Sequence, residues 1–137
     1  NGNAVYAVHD GSVKTVGWQN PQLHHGSGSG AGYRLQIDEG DSKVRIYGHM
    51  DPRSIAVEIN DEIKRGQYLG NYADPTNGHS SGPHVHMQLM DFSGGRRRDI
   101  NPGNISPLGG DGGHVTTPFG VRDALHPYAH QGTDWAY

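Results

Sequence analysis

The chain has 137 residues, a formal net charge of -3, 22 Gly, 8 Pro, 10 His and no Cys, and only 32% of it is apolar. That length suits one domain with one modest core, and the near-neutral charge gives no reason to expect a nucleic-acid partner. With no Cys, disulfides and thiolate ligands are excluded, so any metal must be held by nitrogen and oxygen.

The first turn-bounded alternating stretches are residues 4–9 and 12–17, separated by Asp10-Gly11, and they predict a strand pair. Between His24 and Gly32 the run HHGSGSGAG predicts a flexible loop. Tyr33, Leu35 and Ile37 then alternate with Arg34, Gln36 and Asp38 as a half-buried strand. Val44 and Ile46 alternate with Lys43, Arg45 and Tyr47 and lead into Gly48-His49. Residues 56–59, 67–72 and 84–90 also predict strands, with one doubtful helical turn over 60–66. Residues 91–99 (DFSGGRRRD) predict a polar turn with a basic run, and 106–114 (SPLGGDGGH) a linker. The sum is an all-β domain of mainly antiparallel strands, with no repeat and no apolar run long enough for a membrane span. The absence of a charged and apolar leader at Asn1 predicts a processed product or an excised domain.

Three motifs carry chemistry. In Gly82-Pro83-His84-Val85-His86-Met87-Gln88-Leu89, strand alternation puts His84, His86 and Gln88 on one face and Val85, Met87 and Leu89 in the core. Alone, the HxH pair is either an ordinary polar strand face or a metal ligand beside a proton-transfer group. In His130-Gln131-Gly132-Thr133-Asp134, His130 and Asp134 share a strand face, and Gly132 between them is expected to let a metal approach the backbone. His49 falls on the polar phase at the end of its strand, either pointing into a cleft or sitting on a rim. Taken together, two His and one Asp satisfy the three-ligand pattern of a catalytic zinc site, and two further His remain for proton handling.

These residues resemble the M23 family of zinc endopeptidases, which carries an HxxxD motif, a later HxH motif and another His between them. Here the matching residues are His130 to Asp134, His84 to His86, and His49. Thr117-Pro118-Phe119-Gly120-Val121-Arg122 with His126-Pro127, Val5-Tyr6-Ala7-Val8 with Asp10-Gly11-Ser12-Val13, Ile63-Lys64-Arg65-Gly66-Gln67 and Ile100-Asn101-Pro102 resemble the family as well. The motif order does not: in the family HxxxD precedes HxH, whereas here it follows. Reading Asp134-Trp135-Ala136-Tyr137 into Asn1-Gly2-Asn3-Ala4-Val5-Tyr6 restores the family order, which predicts a circularly permuted single domain over 1–137. Its two parts are 1–105 and 115–137, joined through 106–114, and residues 1 and 137 should be neighbours.

The resemblance implies a LytM-type fold with long loops (18–32, 74–83 and 91–99) walling a substrate groove. It implies one zinc ion per chain, held by His130, His86 and Asp134, with His84 as general base and His49 beside the same water or the oxyanion. Tyr128 and His126 are candidate substrate-binding residues. The implied substrate is a peptide link of bacterial peptidoglycan, cut outside the cell or at the wall by a secreted or virion-borne enzyme. The alternative is a non-catalytic wall-binding or amidase-regulating module of the same family, or part of a phage tail. The remaining histidines, His9, His24, His25, His79 and His114, are expected at the surface.

Overall fold

The computed structural model describes residues 3–18, 31–76, 82–103, 105–108, 114–117, 119–120 and 132–136. Among them there is no helix. The strands are β1 (Ala4–Tyr6), β2 (Gly11–Trp18), β3 (Tyr33–Gly40), β4 (Lys43–Gly48), β5 (Glu62–Ile63), β6 (Tyr68–Asn71), β7 (Val85–Asp91), β8 (Arg98–Ile100), β9 (His114–Thr117) and β10 (Thr133–Ala136). No helix long and apolar enough to cross a membrane is present among the described residues.

The main sheet runs in the order β5-β2-β3-β4-β7-β10-β9, all pairs antiparallel, and β1 and β6 form a separate pair. β7 is the hinge of this arrangement. One edge pairs with β4 along its length, from Gly48↔His86 to Lys43↔Asp91. The other edge is shared, with β10 against Val85–Met87 and β8 against Leu89–Asp91. Cross-strand partners lie on the same face, so this register decides which side chains meet.

On one face lie Val13, Leu35, Ile37, Tyr47, Val85, Met87 and Trp135, which join Val5, Met50, Ile63, Leu69 and Leu108 in the principal core. On the other face Val44, Ile46 and Met90 make a small second cluster. The predicted phase of β4 is therefore inverted for the main core: Tyr47, fully buried, takes the core side, and Val44 and Ile46 take the other. A strand between two neighbours and covered on both faces carries apolar residues in both phases, and alternation alone does not say which is the deeper. Burial pushes the Tyr47 phenol above its ordinary range, and its hydroxyl accepts the Val8 amide at 3.0 Å.

Three expectations need correction. The stretches 4–9 and 12–17 do not pair with one another: β1 pairs with β6, and β2 with β3 and β5. Residues 56–59 form no strand, and residues 60–66 form no helical turn but a bend leading into β5, where Glu62 and Ile63 pair with Ser12 and Gly11. The segment read as a linker starts inside the packed structure, because Pro107 O accepts the Tyr6 amide at 2.6 Å and Leu108 is buried. Residues 1, 137 and 109–113, on which the rest of that expectation falls, lie outside the described residues.

Candidate functional site

The polar face of β7 and the start of β10 meet in register. Asp134 stands directly opposite His86, and both belong to the face that Gly48, Gln88 and Met90 share. The result is close contact between groups far apart in sequence. His86 Nδ1 lies 2.9 Å from Asp134 Oδ1, and His84 Nε2 lies 3.3 Å from Asp134 Oδ2. All three side chains are nearly buried, with Asp134 only 4% exposed.

His49 joins them by a different route. Continued alternation from Tyr47 would place it on the core face, but its φ is +59°, in the left-handed region, which costs a residue with a Cβ roughly 1 kcal/mol or more. That conformation breaks the alternation. It is held on both sides by backbone hydrogen bonds, His49 N to Ala31 O and Ala73 N to His49 O. The ring ends 4.7 Å from that of His84 and 6.1 Å from that of His86, centroid to centroid. His49 is therefore a buried member of the cluster and not a rim histidine.

The outer nitrogens of His84, just before β7, and of His86 within it are also engaged. His84 Nδ1 donates to Gly82 O at 2.8 Å, which leaves Nε2 facing Asp134. His86 Nε2 lies 3.0 Å from Gln88 Oε1, which leaves Nδ1 facing Asp134. Gln88 Nε2 in turn donates to Asp99 Oδ1 at 2.8 Å, and Arg97 holds Asp99 with contacts of 3.0 to 3.3 Å. The sequence places Gln88 on the face of His84 and His86, and Arg97 and Asp99 in a loop expected to wall the groove, but assigns none of the three a role at the metal.

Gly132 is tightly enclosed. A Cβ there would lie 2.5 Å from Met87 O and 2.8 Å and 2.9 Å from His86 Cε1 and Nε2. The missing side chain makes room for the His86 ring and the β7 backbone, so that β10 packs close to β7.

Zinc takes imidazole nitrogen and carboxylate oxygen, and in a chain without Cys the His86–Asp134 pair supplies both. The donor chemistry fits the ion. Two such donors do not close a site, and no group of three or more His, Asp or Glu set to hold a metal occurs among the described residues. His130, the expected third ligand, lies outside them, as do Tyr128 and His126 and the loop stretches 19–30 and 77–81. The segment 91–99 leaves β7 at its far end and returns along β8, where Asp99 reaches Gln88 beside His86. Its basic run is partly neutralised, with Arg97 on Asp99 and Arg98 on Asp91.

The described architecture has known counterparts. It resembles the catalytic domain of the prophage-encoded M23 protein EnpA from Enterococcus faecalis (TM-score 0.56, 30% identity, 74% of this chain and 68% of that one). It resembles equally the catalytic domain of the antimicrobial peptidase lysostaphin from Staphylococcus simulans (TM-score 0.54, 30% identity, 72% and 67%). A zinc-containing peptidase from Vibrio cholerae matches with a TM-score of 0.53 at 28% identity over 72% of this chain and 26% of that one. In sequence, the chain is 28% identical over 130 residues to the glycyl-glycine endopeptidase ALE-1 of Staphylococcus capitis, and 30% identical over 119 residues to lysostaphin of S. simulans. These alignments take in 88% and 85% of the chain but only 33% and 22% of the relatives, so the chain spans a third or less of their length. The profile of Peptidase family M23 matches residues 1–102, and with these likenesses the chain belongs to peptidase family M23.

Proposed function

We propose that this chain is a zinc-dependent endopeptidase that cleaves peptide links of bacterial peptidoglycan, either stem-peptide cross-links or Gly-rich bridges, outside the cell or at its wall. The observation that carries the reading is the convergence of His84, His86, His49 and Asp134, from three separate segments, on one nearly buried cluster. Membership of a peptidase family and likeness to a glycyl-glycine endopeptidase support the substrate class. The working unit is the single domain 1–137, its motifs in permuted order, secreted or carried on a virion.

In this reading His86 Nδ1 and Asp134, with His130, hold one zinc ion. A zinc ion there supplies Lewis-acid polarisation of the scissile carbonyl and makes water more acidic. The other steps fall to the chain. His84, its Nδ1 hydrogen committed to Gly82 O, keeps the Nε2 lone pair turned to the site and takes the proton as water attacks, passing it on to the leaving amine. His49, beside the His84 ring, orients the water or donates to the developing oxyanion. Tyr128 and His126 orient the substrate peptide.

The test is metal content together with wall lysis, with and without a chelator. One zinc per chain, and lysis that chelation stops and zinc restores, is the expected result. Zinc without lysis of any wall type favours a non-catalytic wall-binding or amidase-regulating module. Absence of zinc overturns the proposal.

A further inference from the structure

The string Asp99–Gln88–His86 has a direction that its chemistry fixes. A carboxylate accepts hydrogen bonds, and the guanidinium of Arg97 already donates to both Asp99 oxygens. The Gln88 group that faces Asp99 at 2.8 Å must therefore be the NH2. The oxygen of the same amide then faces His86 Nε2 at 3.0 Å, and an oxygen acceptor requires a hydrogen on that nitrogen. In the neutral imidazole, Nδ1 is consequently the lone-pair nitrogen, and it is the one that points at Asp134. The chain of donors fixes the amide orientation and the hydrogen on Nε2; Nδ1 and the Asp134 oxygen 2.9 Å away are then two acceptors face to face, a position that a proton or a cation must occupy.

Nothing about this string is accidental in the fold. Gln88 is buried, and β7 exchanges its partner from β10 to β8 at this residue, which lets Asp99 of β8 reach it from the same face. A buried amide with both ends satisfied by fixed partners has one orientation, and it imposes one on the ring beside it.

We propose that Gln88 and Asp99 are positioning residues that hold His86 in the Nε2–H form and so present Nδ1 as a metal ligand. This rests on the zinc reading above, and it adds residues from outside the ligand set to the determinants of metal affinity. Partners of this kind typically contribute about 10–100-fold to affinity.

The test measures zinc affinity of the full chain by chelator competition, with the thermal unfolding of the metal-free protein as a check on folding. Gln88→Met keeps the bulk and removes the acceptor, and should weaken zinc binding by about 10–100-fold in a folded protein. Gln88→Glu alone sets two carboxylates against each other and should also weaken it. Gln88→Glu combined with Asp99→Asn rebuilds the string with its second link reversed, since the Asn amide donates to Glu while Glu still accepts from His86. That double variant should recover wild-type affinity, which a packing role for Gln88 would not produce. Wild-type affinity in folded Gln88→Met, or no recovery in the double variant relative to Gln88→Glu, overturns the positioning role. If Gln88→Met does not fold, the comparison of the two Glu variants decides alone. A wild-type chain that binds no zinc defeats the proposed function instead, and the two failures are thereby distinct.

Discussion

Gly132→Ala is a single-methyl probe of how closely β10 must approach β7. The backbone φ at Gly132 lies outside the left-handed region, so the substitution is steric and not conformational. The new Cβ would be 2.5 Å from Met87 O, short of ordinary contact at 3.4 Å by 0.9 Å, and the obstructing atom is backbone. A carbonyl within a sheet does not yield as a side-chain tip does, so β10 has to withdraw from β7 by most of that distance. Overpacking of this kind costs about 1–3 kcal/mol. In a domain of this size that lowers Tm by roughly 4 °C per kcal/mol. The functional effect is larger. Asp134 sits two residues further along β10, and metal ligands tolerate errors of only about 0.2 Å. A displacement near 1 Å is associated with a rate loss on the order of 10²-fold. Calorimetry, zinc competition and the lytic rate of Gly132→Ala measure the loss of stability, the disturbed ligand geometry and the loss of rate. A variant with wild-type Tm and wild-type zinc affinity would refute the close-packing argument and, with it, the role given to the β7–β10 register.

His84→Ala should retain zinc, because its side chain is not among the proposed ligands, and lose ~10²–10⁴-fold in lytic rate; undiminished lysis rules it out as the base. Arg45→Ala strands the Glu39 carboxylate, whose side chain is 4% exposed and bonded to Arg45 Nε at 2.6 Å, and urea unfolding should show a loss of about 3–5 kcal/mol. The Ser93 backbone amide first, then its hydroxyl and Arg98, hold Asp91 down to about 2 from 3.8. A carboxyl depressed in the folded state contributes stability that is full above its unfolded value and lost as pH falls through the folded one. The stability gap between wild type and Asp91→Asn should thus be constant above pH 3.8 and close on acidification towards about 2; a gap that persists there contradicts the assignment. Finally, a rearranged chain running 115–137 into 1–105 should fold, bind zinc and lyse walls as the present order does. Failure of that chain to fold would remove the support for permutation.

The alternation of β7 was legible because both of its faces are decided by chemistry: Val85 and Met87 are apolar, His86 and Gln88 are not, and the structure separates them as period two requires. β4 misled because its two apolar phases are each buried against something, Tyr47 in the main core and Val44 with Ile46 and Met90 outside it. Counting along β4 puts His49 on a polar phase, yet it reaches the cluster through a left-handed backbone that no periodicity encodes. Residues 56–59 make a backbone bond to β6, Ala56 N to Leu69 O, without forming a strand ladder, and ladder formation is a property of the sheet and not of the segment. Asp99 lay in a stretch that reads as a polar turn, and only the pairing of β8 with β7 brings it to Gln88. Local pattern thus located the polar face, and long-range register chose its occupants.

The HxH pair illustrates what register adds to a motif. His84 and His86 are two residues apart on one strand face, chemically identical, and each within 3.3 Å of one oxygen of Asp134. They nevertheless present opposite ring nitrogens to it, Nε2 from His84 and Nδ1 from His86. The difference is made behind each ring. The Gly82 carbonyl takes the His84 Nδ1 hydrogen, and the Gln88 amide oxygen, locked by Asp99, takes that of His86 Nε2. A neutral imidazole has one donor and one acceptor, so fixing the donor fixes which nitrogen is basic. In the proposed function two equal side chains thereby take unequal tasks, one through Nδ1 as a ligand on the Asp134 side and one through Nε2 as a proton acceptor beside it. Exchange of the two roles by mutation would need both rear acceptors to be moved, which is why replacing either histidine alone by another metal-binding residue should not reproduce the site.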